Sequence, residues 1–231
     1  MVKIRRASAF DAAAIAALIS VVWDDVQPNV EQCRVVITGE QEWVWLAVEG
    51  EAVLGLVACF LSRAGAAWRW EIELLAVHPA VRGRGIGAGL VAASHETGRL
   101  LNASFARGLV RVDNAAAQRA FAKNGYETSG RVYQLHAWAP QPTTEPPNGH
   151  PLITLTRADT LTYRGLWLEG LDNDRLSDDQ RLASLAGGRA QAAAEGRASL
   201  TALVAEDNML PVAFFEGAEL LGRYQWWRRM L

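Results

Sequence analysis

Hydrophobic residues along the first half of the chain recur with two different periods. Apolar and polar positions alternate over residues 42–48 and, less strictly, over 52–61 and 70–77, and runs of this length predict half-buried strands. Apolar positions three and four residues apart over residues 12–22, and again from residue 86 onward, predict helices. Strands and helices are thus interspersed. This predicts an α/β protein with a mixed, mostly antiparallel twisted sheet flanked by helices.

Capping residues and glycines place the remaining elements. Ser8 and Asp11 have the spacing of a capping box before the first helix. Gly98 marks the predicted end of the helix that begins at residue 86, and Gly108 indicates a bulge in the strand after it. The other predicted elements are strands at residues 2–6 and 105–112, helices around 30–36 and at 115–123, and a strand or long hairpin over 126–138.

The loop at residues 82–87 carries the most specific pattern in the sequence. It follows an apolar strand and precedes a helix, and it contains two arginines and three glycines: Arg82, Arg84, Gly83, Gly85 and Gly87. A helix start exposes free N–H groups with partial positive charge, and glycines let a phosphate approach the backbone. Arginine side chains add cationic donors. The loop therefore predicts a site for a pyrophosphate.

Two known phosphate-binding patterns fit this loop less well. A P-loop is excluded because the loop contains no lysine. The dinucleotide-binding pattern Gly-x-Gly-x-x-Ala matches at Gly83, Gly85 and Ala88, and Asp113 lies where a ribose-binding acid is expected. However, residues 78–82 separate the strand from the first glycine, and the preceding strands read as a meander. An oxidoreductase that binds a dinucleotide is therefore the weaker alternative.

The loop is better matched by the pattern Arg-x-x-Gly-x-Gly after Leu-Ala-Val, with Arg82, Gly85 and Gly87 at the fixed positions. This pattern resembles the acetyl-coenzyme A (acetyl-CoA) loop of the GNAT superfamily of N-acetyltransferases. A second segment is similar to the late strand–helix motif of the same family, at Asn114, Ala117, Phe121, Gly125 and Tyr126. The resemblance extends over about residues 2–138 and implies the acyl-CoA N-acyltransferase fold.

The resemblance also implies acetyl-CoA as cosubstrate and a primary amine, on a small molecule or a peptide, as acceptor. It implies that Leu75 and Val77 contact the pantetheine arm and that Asn114 and Phe121 contact the far end of this arm. The residues implied to hold the pyrophosphate are those of the loop: Arg82, Gly83, Arg84, Gly85, Ile86 and Gly87. Dimers are common in the family, so a homodimer is a possibility.

Two acids on the strand before the loop are candidates for the general base. Period two would place Glu71, Glu73, Leu75 and Val77 on one face of this strand. Burial would raise the pKa of a carboxyl group toward neutrality, which suits a base that deprotonates an ammonium. GNAT enzymes often carry a base at or near the place of Glu71. The alternative is that one acid simply pairs with an arginine such as Arg69 or Arg111.

The sequence departs from the family at Phe121. Many GNAT enzymes have a tyrosine there, which protonates the departing thiolate, and phenylalanine has no proton to donate. Because a thiol has a pKa of about 8.5, the thiolate is a tolerable leaving group near neutral pH. Tyr126, Tyr133 or water could substitute for the missing donor. The departure leaves a catalytically inactive acyl-CoA-binding module open as an alternative to an enzyme.

Composition narrows the classes further. The 231 residues are 50% hydrophobic with a net charge of −2 and interspersed acids and bases, so neither a nucleic-acid partner nor a membrane surface is indicated. Cys33 and Cys59 form no disulfide framework and no metal pattern. The first residues lack the apolar region of a signal peptide, and no apolar run is long enough to span a membrane. A cytoplasmic protein is expected.

Residues 140–151 contain five of the eight prolines and predict a linker between two domains. The predicted GNAT domain is therefore residues 1–139. Residues 152–231 repeat it in outline: Asp-Asn at 207–208 and Phe215 have the same spacing as Asp-Asn at 113–114 and Phe121. No Arg-x-x-Gly-x-Gly loop is present in this part, so the sequence predicts a smaller, partial GNAT-like domain that binds no second acetyl-CoA.

Overall fold

The computed structural model describes residues 1–143 and 150–231. Residue contacts divide the chain into a first unit, Met1–Ser129 with Trp226–Leu231, and a second unit, Gly130–Gln225. Pro146 and Pro147 of the predicted linker lie outside the described residues, and the predicted domain limits stay a prediction. Among the described residues, no helix is both long and apolar enough to cross a membrane.

The first unit contains strands and helices in the predicted order. Ser8 and Asp11 form the predicted capping box ahead of α1. The strands are β1 (Lys3–Arg6), β2 (Glu42–Glu49), β3 (Ala52–Ala64), β4 (Ala67–Val77), β5 (Phe105–Arg111) and β6 (Glu127–Thr128), and the helices are α1 (Ala12–Val22), α2 (Val30–Thr38), α3 (Ile86–Leu100) and α4 (Ala115–Lys123).

The sheet of this unit has the order β1-β2-β3-β4-β5, followed by the last residues of β11, with which β6 also pairs. The pairs β1–β2, β2–β3 and β3–β4 are antiparallel, whereas β4 and β5, which α3 connects, are parallel. The core on one face joins β2–β5 to α3 and α4, through side chains such as Trp45, Cys59, Trp70, Leu90 and Phe121. Helices α1 and α2 contact β2–β4, and the alternation of side chains assigns them to the other face.

A β-bulge in β4 changes which side chains share a face. Ile72 pairs with Cys59 and Leu74 pairs with Ala58, so Glu73 is the extra residue of the bulge in the β3–β4 register. The extra residue shifts the alternation by one position, and Glu71 therefore points to the opposite face from Leu75. The prediction of one shared face for Glu71, Glu73, Leu75 and Val77 is wrong for this reason.

Two glycines have a different role from the predicted one. Gly98 lies inside α3 and does not end it; a Cβ there would lie 2.9 Å from the Trp70 ring, so the glycine permits close packing of α3 on β4. Gly108 lies in regular register with Ile72, and a Cβ there would overlap the Phe121 ring at 2.4 Å. Gly108 thus accommodates an aromatic ring and forms no bulge.

The second unit has its own sheet and one long helix. Its strands are β7 (Tyr133–Trp138), β8 (Thr154–Asp159), β9 (Arg164–Glu169), β10 (Ser199–Ala205) and residues 218–225 of β11 (Ala218–Met230), and its helix is α5 (Asp178–Ala194). The strand order is β11-β7-β10-β9-β8, and only β9 and β10 are parallel among these described pairs. The parallel pair joined by a helix, β9-α5-β10, has the same connectivity as β4-α3-β5.

Candidate active site

The glycine loop of the first unit links the end of β4 to the start of α3. His78 ends the strand, and its Nδ1 accepts a hydrogen bond of 3.2 Å from the backbone N–H of Ala80, so this histidine caps a short 3₁₀ turn at Pro79–Val81. Gly83 and Gly85 follow with φ of +83° and +78°, a backbone region that favours glycine. Gly85 immediately precedes α3, whose first N–H groups have no acceptor within the helix.

The side of the loop that faces away from the protein is open. A Cβ at Gly83 or Gly85 would meet no protein atom within 4 Å. The side chains of Arg82 and Arg84 are exposed on the same loop; Arg82 Nε donates to the Val77 carbonyl at 3.3 Å, and Arg84 lies 3.6 Å from the Glu49 carboxylate. Helix N–H groups, open glycines and two guanidinium groups together supply the donors and the space that an anion site requires.

Two further loop residues contribute through the backbone only. Ile86 is buried in the core, so its side chain is directed away from any ligand. A Cβ at Gly87 would lie 3.6 Å from Val77 and 3.8 Å from Leu75, which shows how closely α3 begins against the end of β4. The predicted contacts at Leu75, Val77 and the loop are therefore neighbours in the structure.

The β4–β5 ladder covers only the first part of β4. It pairs residues 69–72 with 105–108, and within the described residues the pairing register continues no further toward the loop. Residues 73–77 lie beyond it, with β3 on their other side. A peptide-like group can bind such a strand edge by backbone hydrogen bonds.

Glu71 is buried in a hydrogen-bonded ion cluster. Its carboxylate accepts from Arg107 Nε at 2.8 and 3.0 Å and from the Ser62 hydroxyl at 2.5 Å, and Arg69 Nε lies 3.2 Å away. The predicted alternative of a partner arginine is thus found for Arg69, whereas Arg111 pairs with Asp113. Since protein donors already occupy its oxygens, Glu71 has little capacity left to bind a substrate ammonium.

Asn114 and Phe121 lie at the two ends of α4. The Asn114 side-chain oxygen accepts from the Ala117 N–H at 3.0 Å and so caps the helix. Phe121 is 3% exposed and packs edge-on against Tyr126, with ring centroids 4.8 Å apart. Their predicted contact with the cofactor stays a prediction.

Comparison with known proteins adds an independent observation. Residues 15–126 match the family model described as the acetyltransferase (GNAT) family, and this match contains β2–β5, the glycine loop and α4. Residues 15–126 are a GNAT acetyltransferase domain. This membership implies acyl-CoA-dependent acetyl transfer. No match to the sequence was found among curated proteins.

Solved structures share the GNAT fold at low sequence identity. A GCN5-related N-acetyltransferase from Sphaerobacter thermophilus is 17% identical, with a TM-score of 0.62 over 99% of this chain and 95% of that one. A tandem GNAT protein from the clavulanic acid biosynthesis pathway is 16% identical, with a TM-score of 0.61 over 100% and 98%. The Arabidopsis thaliana NAA60 complex with acetyl-CoA is 18% identical, with a TM-score of 0.50 over 58% and 88%.

Of the proton donors suggested in place of Phe121, Tyr126 lies in the core of the GNAT domain. Its hydroxyl lies 2.9 Å from His95 Nε2. Burial raises the pKa of the Tyr126 hydroxyl. Burial, together with the positive charges of the nearby Arg229 and Arg99, lowers the pKa of His95 to about 4. Both groups are therefore neutral at pH 7 and bound to each other. Tyr133 lies in the second unit.

Glu42 is a residue of the GNAT domain that the sequence analysis missed. It begins β2 and is 4% exposed, and both of its carboxyl oxygens are buried without a hydrogen-bond partner among the described residues. Burial, and then the charge of Glu73, raise the pKa of the Glu42 carboxyl group well above its ordinary value. A signal was present in the alternation: Glu42 shares its face with the apolar Val44 and Leu46.

Proposed function

We propose that this chain is an acetyl-CoA-dependent N-acetyltransferase that moves an acetyl group to a primary amine by direct attack. One observation supports it above all: residues 73–77 of β4, which lie beyond the described pairing with β5, run directly into the open, arginine-bearing glycine loop before α3. A thioester ligand needs both features, an edge for its peptide-like arm and an anion site for its pyrophosphate.

The residues of this region fit acetyl-CoA. In the proposal, the backbone of residues 83–87 and the side chains of Arg82 and Arg84 hold the pyrophosphate, while backbone groups of Leu75 and Val77 bind the pantetheine arm. The same backbone N–H groups polarise the thioester carbonyl. Acetyl-CoA supplies an activated acetyl group with a thiolate as leaving group.

Glu73 is the proposed general base. It lies in the bulge of β4, just beyond the last described residue that pairs with β5. Glu71, the other candidate, accepts hydrogen bonds from Arg107 and Ser62 and lies close to Arg69. Glu73, directly or through water, takes a proton from the ammonium of the acceptor. The amine nitrogen then forms the bond to the acetyl carbon, the carbon–sulfur bond breaks, and the thiolate takes a proton from water. Glu71 keeps the two arginines in place.

Thermal unfolding with acetyl-CoA, and with a nicotinamide dinucleotide as control, tests this function. A ligand at about a hundred times its dissociation constant adds roughly 2.7 kcal/mol to the stability of the folded state. We expect a shift with acetyl-CoA alone. Glu73→Gln should keep this shift and lower the rate of thiol release with a panel of primary amines by about 10²-fold or more, as for loss of a general base.

The matched control is Glu51→Gln, at an exposed turn between β2 and β3, which should change neither result. A shift with the dinucleotide only would overturn the assignment of the loop. A shift with acetyl-CoA but no thiol release with any amine would favour the inactive binding module. Full activity in Glu73→Gln would refute its role as base.

A further inference from the structure

Glu42 lies in a place where a carboxyl group is costly. The register sets Glu42 opposite Phe60 on β3, and Phe60 opposite Glu71 on β4, so the three side chains form one row across the sheet. Both oxygens of Glu42 are buried and accept no hydrogen bond from residues 1–143 or 150–231. An unpartnered buried polar group costs several kcal/mol relative to water, more when it is charged.

The two glutamates of this row are treated differently by the protein. Glu71 has two guanidinium groups and a hydroxyl within hydrogen-bond or ion-pair distance. For Glu42, no ion pair with an arginine or lysine is found among the residues that the structure describes, which leaves its oxygens available to an outside cation.

Three titratable groups interact electrostatically with the Glu42 carboxyl group. They are the acid Glu73 on β4, Cys33 on α2, and Cys59, whose side chain lies on the other face of β3. The pKa of both thiols is raised, chiefly by burial, so both remain protonated. Glu73 is also the proposed base, so Glu42 adjoins the point where the amine must be deprotonated.

We propose that Glu42 and Glu73 together bind the ammonium group of the acceptor, which is therefore an aliphatic primary amine, a cation at neutral pH. This inference rests on the proposed function and names its substrate class. An ammonium offers three N–H donors, enough for both carboxylates. A metal ion is the poorer occupant, because no group of three ligating side chains is found in the described part of the chain.

Binding then displaces a proton. Without an acceptor, Glu42 carries a proton, since burial and the charge of Glu73 both favour its neutral form. When the ammonium binds, Glu42 releases this proton to solvent and accepts a charge-assisted hydrogen bond. Glu73 subsequently takes the proton of the amine during transfer, so the two acids have separate roles.

Isothermal titration calorimetry tests this proposal. The protein, with coenzyme A bound, is titrated with n-butylammonium chloride as the probe and, separately, with n-butanol as its neutral isostere. The wild type should bind n-butylammonium, ignore n-butanol and release about one proton per site, measured in buffers of different ionisation enthalpy. Glu42→Gln should weaken this binding by roughly 10- to 100-fold, the value of one charged hydrogen bond. It should also abolish the proton release.

Glu40→Gln, an exposed acid two residues away, is the matched control and should bind like the wild type. Glu42→Leu, which replaces the acid by an apolar side chain, provides a second variant should the amide disturb the fold, and it should lose the probe as well. Equal binding of n-butylammonium by wild type and both Glu42 variants, or none by the wild type, would overturn the ammonium site. Acetyl-CoA binding in the same proteins reports separately on the proposed function.

Discussion

At the residue scale, Glu42 and Glu71 show how one type of side chain acquires opposite properties in one sheet. Glu71 is surrounded by donors and pairs with Arg69 and Arg107. Glu42 has no such donors within the described part of the chain, and its neutral form is favoured. The first arrangement stabilises structure, whereas the second keeps a carboxyl group ready for a ligand. Natural proteins retain a costly buried acid chiefly where function needs it.

The raised pKa of Glu42 predicts a pH-dependent stability. The folded state keeps its proton above pH 4.5, the ordinary value for a glutamate, whereas the unfolded state loses it. Above that pH the free energy of unfolding should therefore fall by about 1.4 kcal/mol per pH unit until the folded pKa is reached. Urea unfolding between pH 5 and pH 8 measures this slope in wild type and Glu42→Gln.

Glu42→Gln should lack this component of the slope and should be more stable than the wild type at the alkaline end, while Glu40→Gln should follow the wild type. Parallel curves for wild type and Glu42→Gln would show that Glu42 ionises as readily in the folded as in the unfolded chain.

At the element scale, the start of α3 decides whether the loop can bind an anion. Its glycines adopt left-handed φ values and leave the helix N–H groups open to a ligand. By contrast, α5 of the second unit starts with Ser177, which caps the helix, and with Asp178 and Asp179 in its first turn. These carboxylates stabilise the helix start but repel a phosphate there. This difference supports the proposal that acetyl-CoA binds at the start of α3 and not at the start of α5.

A pair of glycine variants separates backbone strain from ligand binding. Gly85 and Gly65 both have left-handed φ, +78° and +60°, and a Cβ at either meets no protein atom within 4 Å. Gly65→Ala and Gly85→Ala should each lower the free energy of unfolding by about 1–2 kcal/mol. Only Gly85→Ala should also weaken acetyl-CoA binding, by about tenfold or more, because its methyl group blocks the approach of a phosphate. Calorimetry measures the acetyl-CoA affinity of both variants. Equal affinities would show that the pyrophosphate does not bind at Gly85.

At the scale of the whole molecule, β11 contributes residues to both units. Its last residues belong to the first unit, where the Arg107 guanidinium lies 3.9 Å from the centroid of the Trp226 ring and the Arg228 guanidinium 3.8 Å from that of Phe105. Leu231 N–H donates to the Ser104 carbonyl at 3.3 Å. The Trp-Trp-Arg-Arg segment thus packs within the first unit, and a GNAT domain ended at residue 139 would lack it.

Ending the chain after Gln225 should therefore destabilise the first unit. The loss of two cation–π pairs and of backbone hydrogen bonds should lower the free energy of unfolding by about 2–4 kcal/mol. Thermal unfolding is measured with and without acetyl-CoA, and the transition that acetyl-CoA shifts reports on this unit. Met230→Ala, at a side chain that is 65% exposed, is the control and should change little. An unchanged midpoint in the truncated chain would show that these contacts contribute nothing measurable.

Local chemistry made several elements readable from the sequence. The bounds of α1 and α4, the cap at Asn114 and the loop at residues 82–87 all depend on nearby residues: caps, glycines and helical spacing. The motif with Arg82, Gly85 and Gly87 also pointed to the GNAT family, which the match of residues 15–126 confirms. These features depend on interactions within one or two turns of chain, so the sequence alone determined them.

The tertiary structure alone decided the rest. The bulge at Glu73 reverses the alternation in β4, and a bulge depends on how one strand pairs with another, not on its own residues. Likewise, Gly98 and Gly108 are explained by Trp70 and Phe121, which are distant in sequence. Glu71 and Glu42 have different surroundings because Arg107 of β5 lies opposite Glu71, whereas Phe60 of β3 lies opposite Glu42. Register and packing are non-local, so the proximity of Glu42 to Glu73 depends on the assembled sheet and could not be predicted from the sequence.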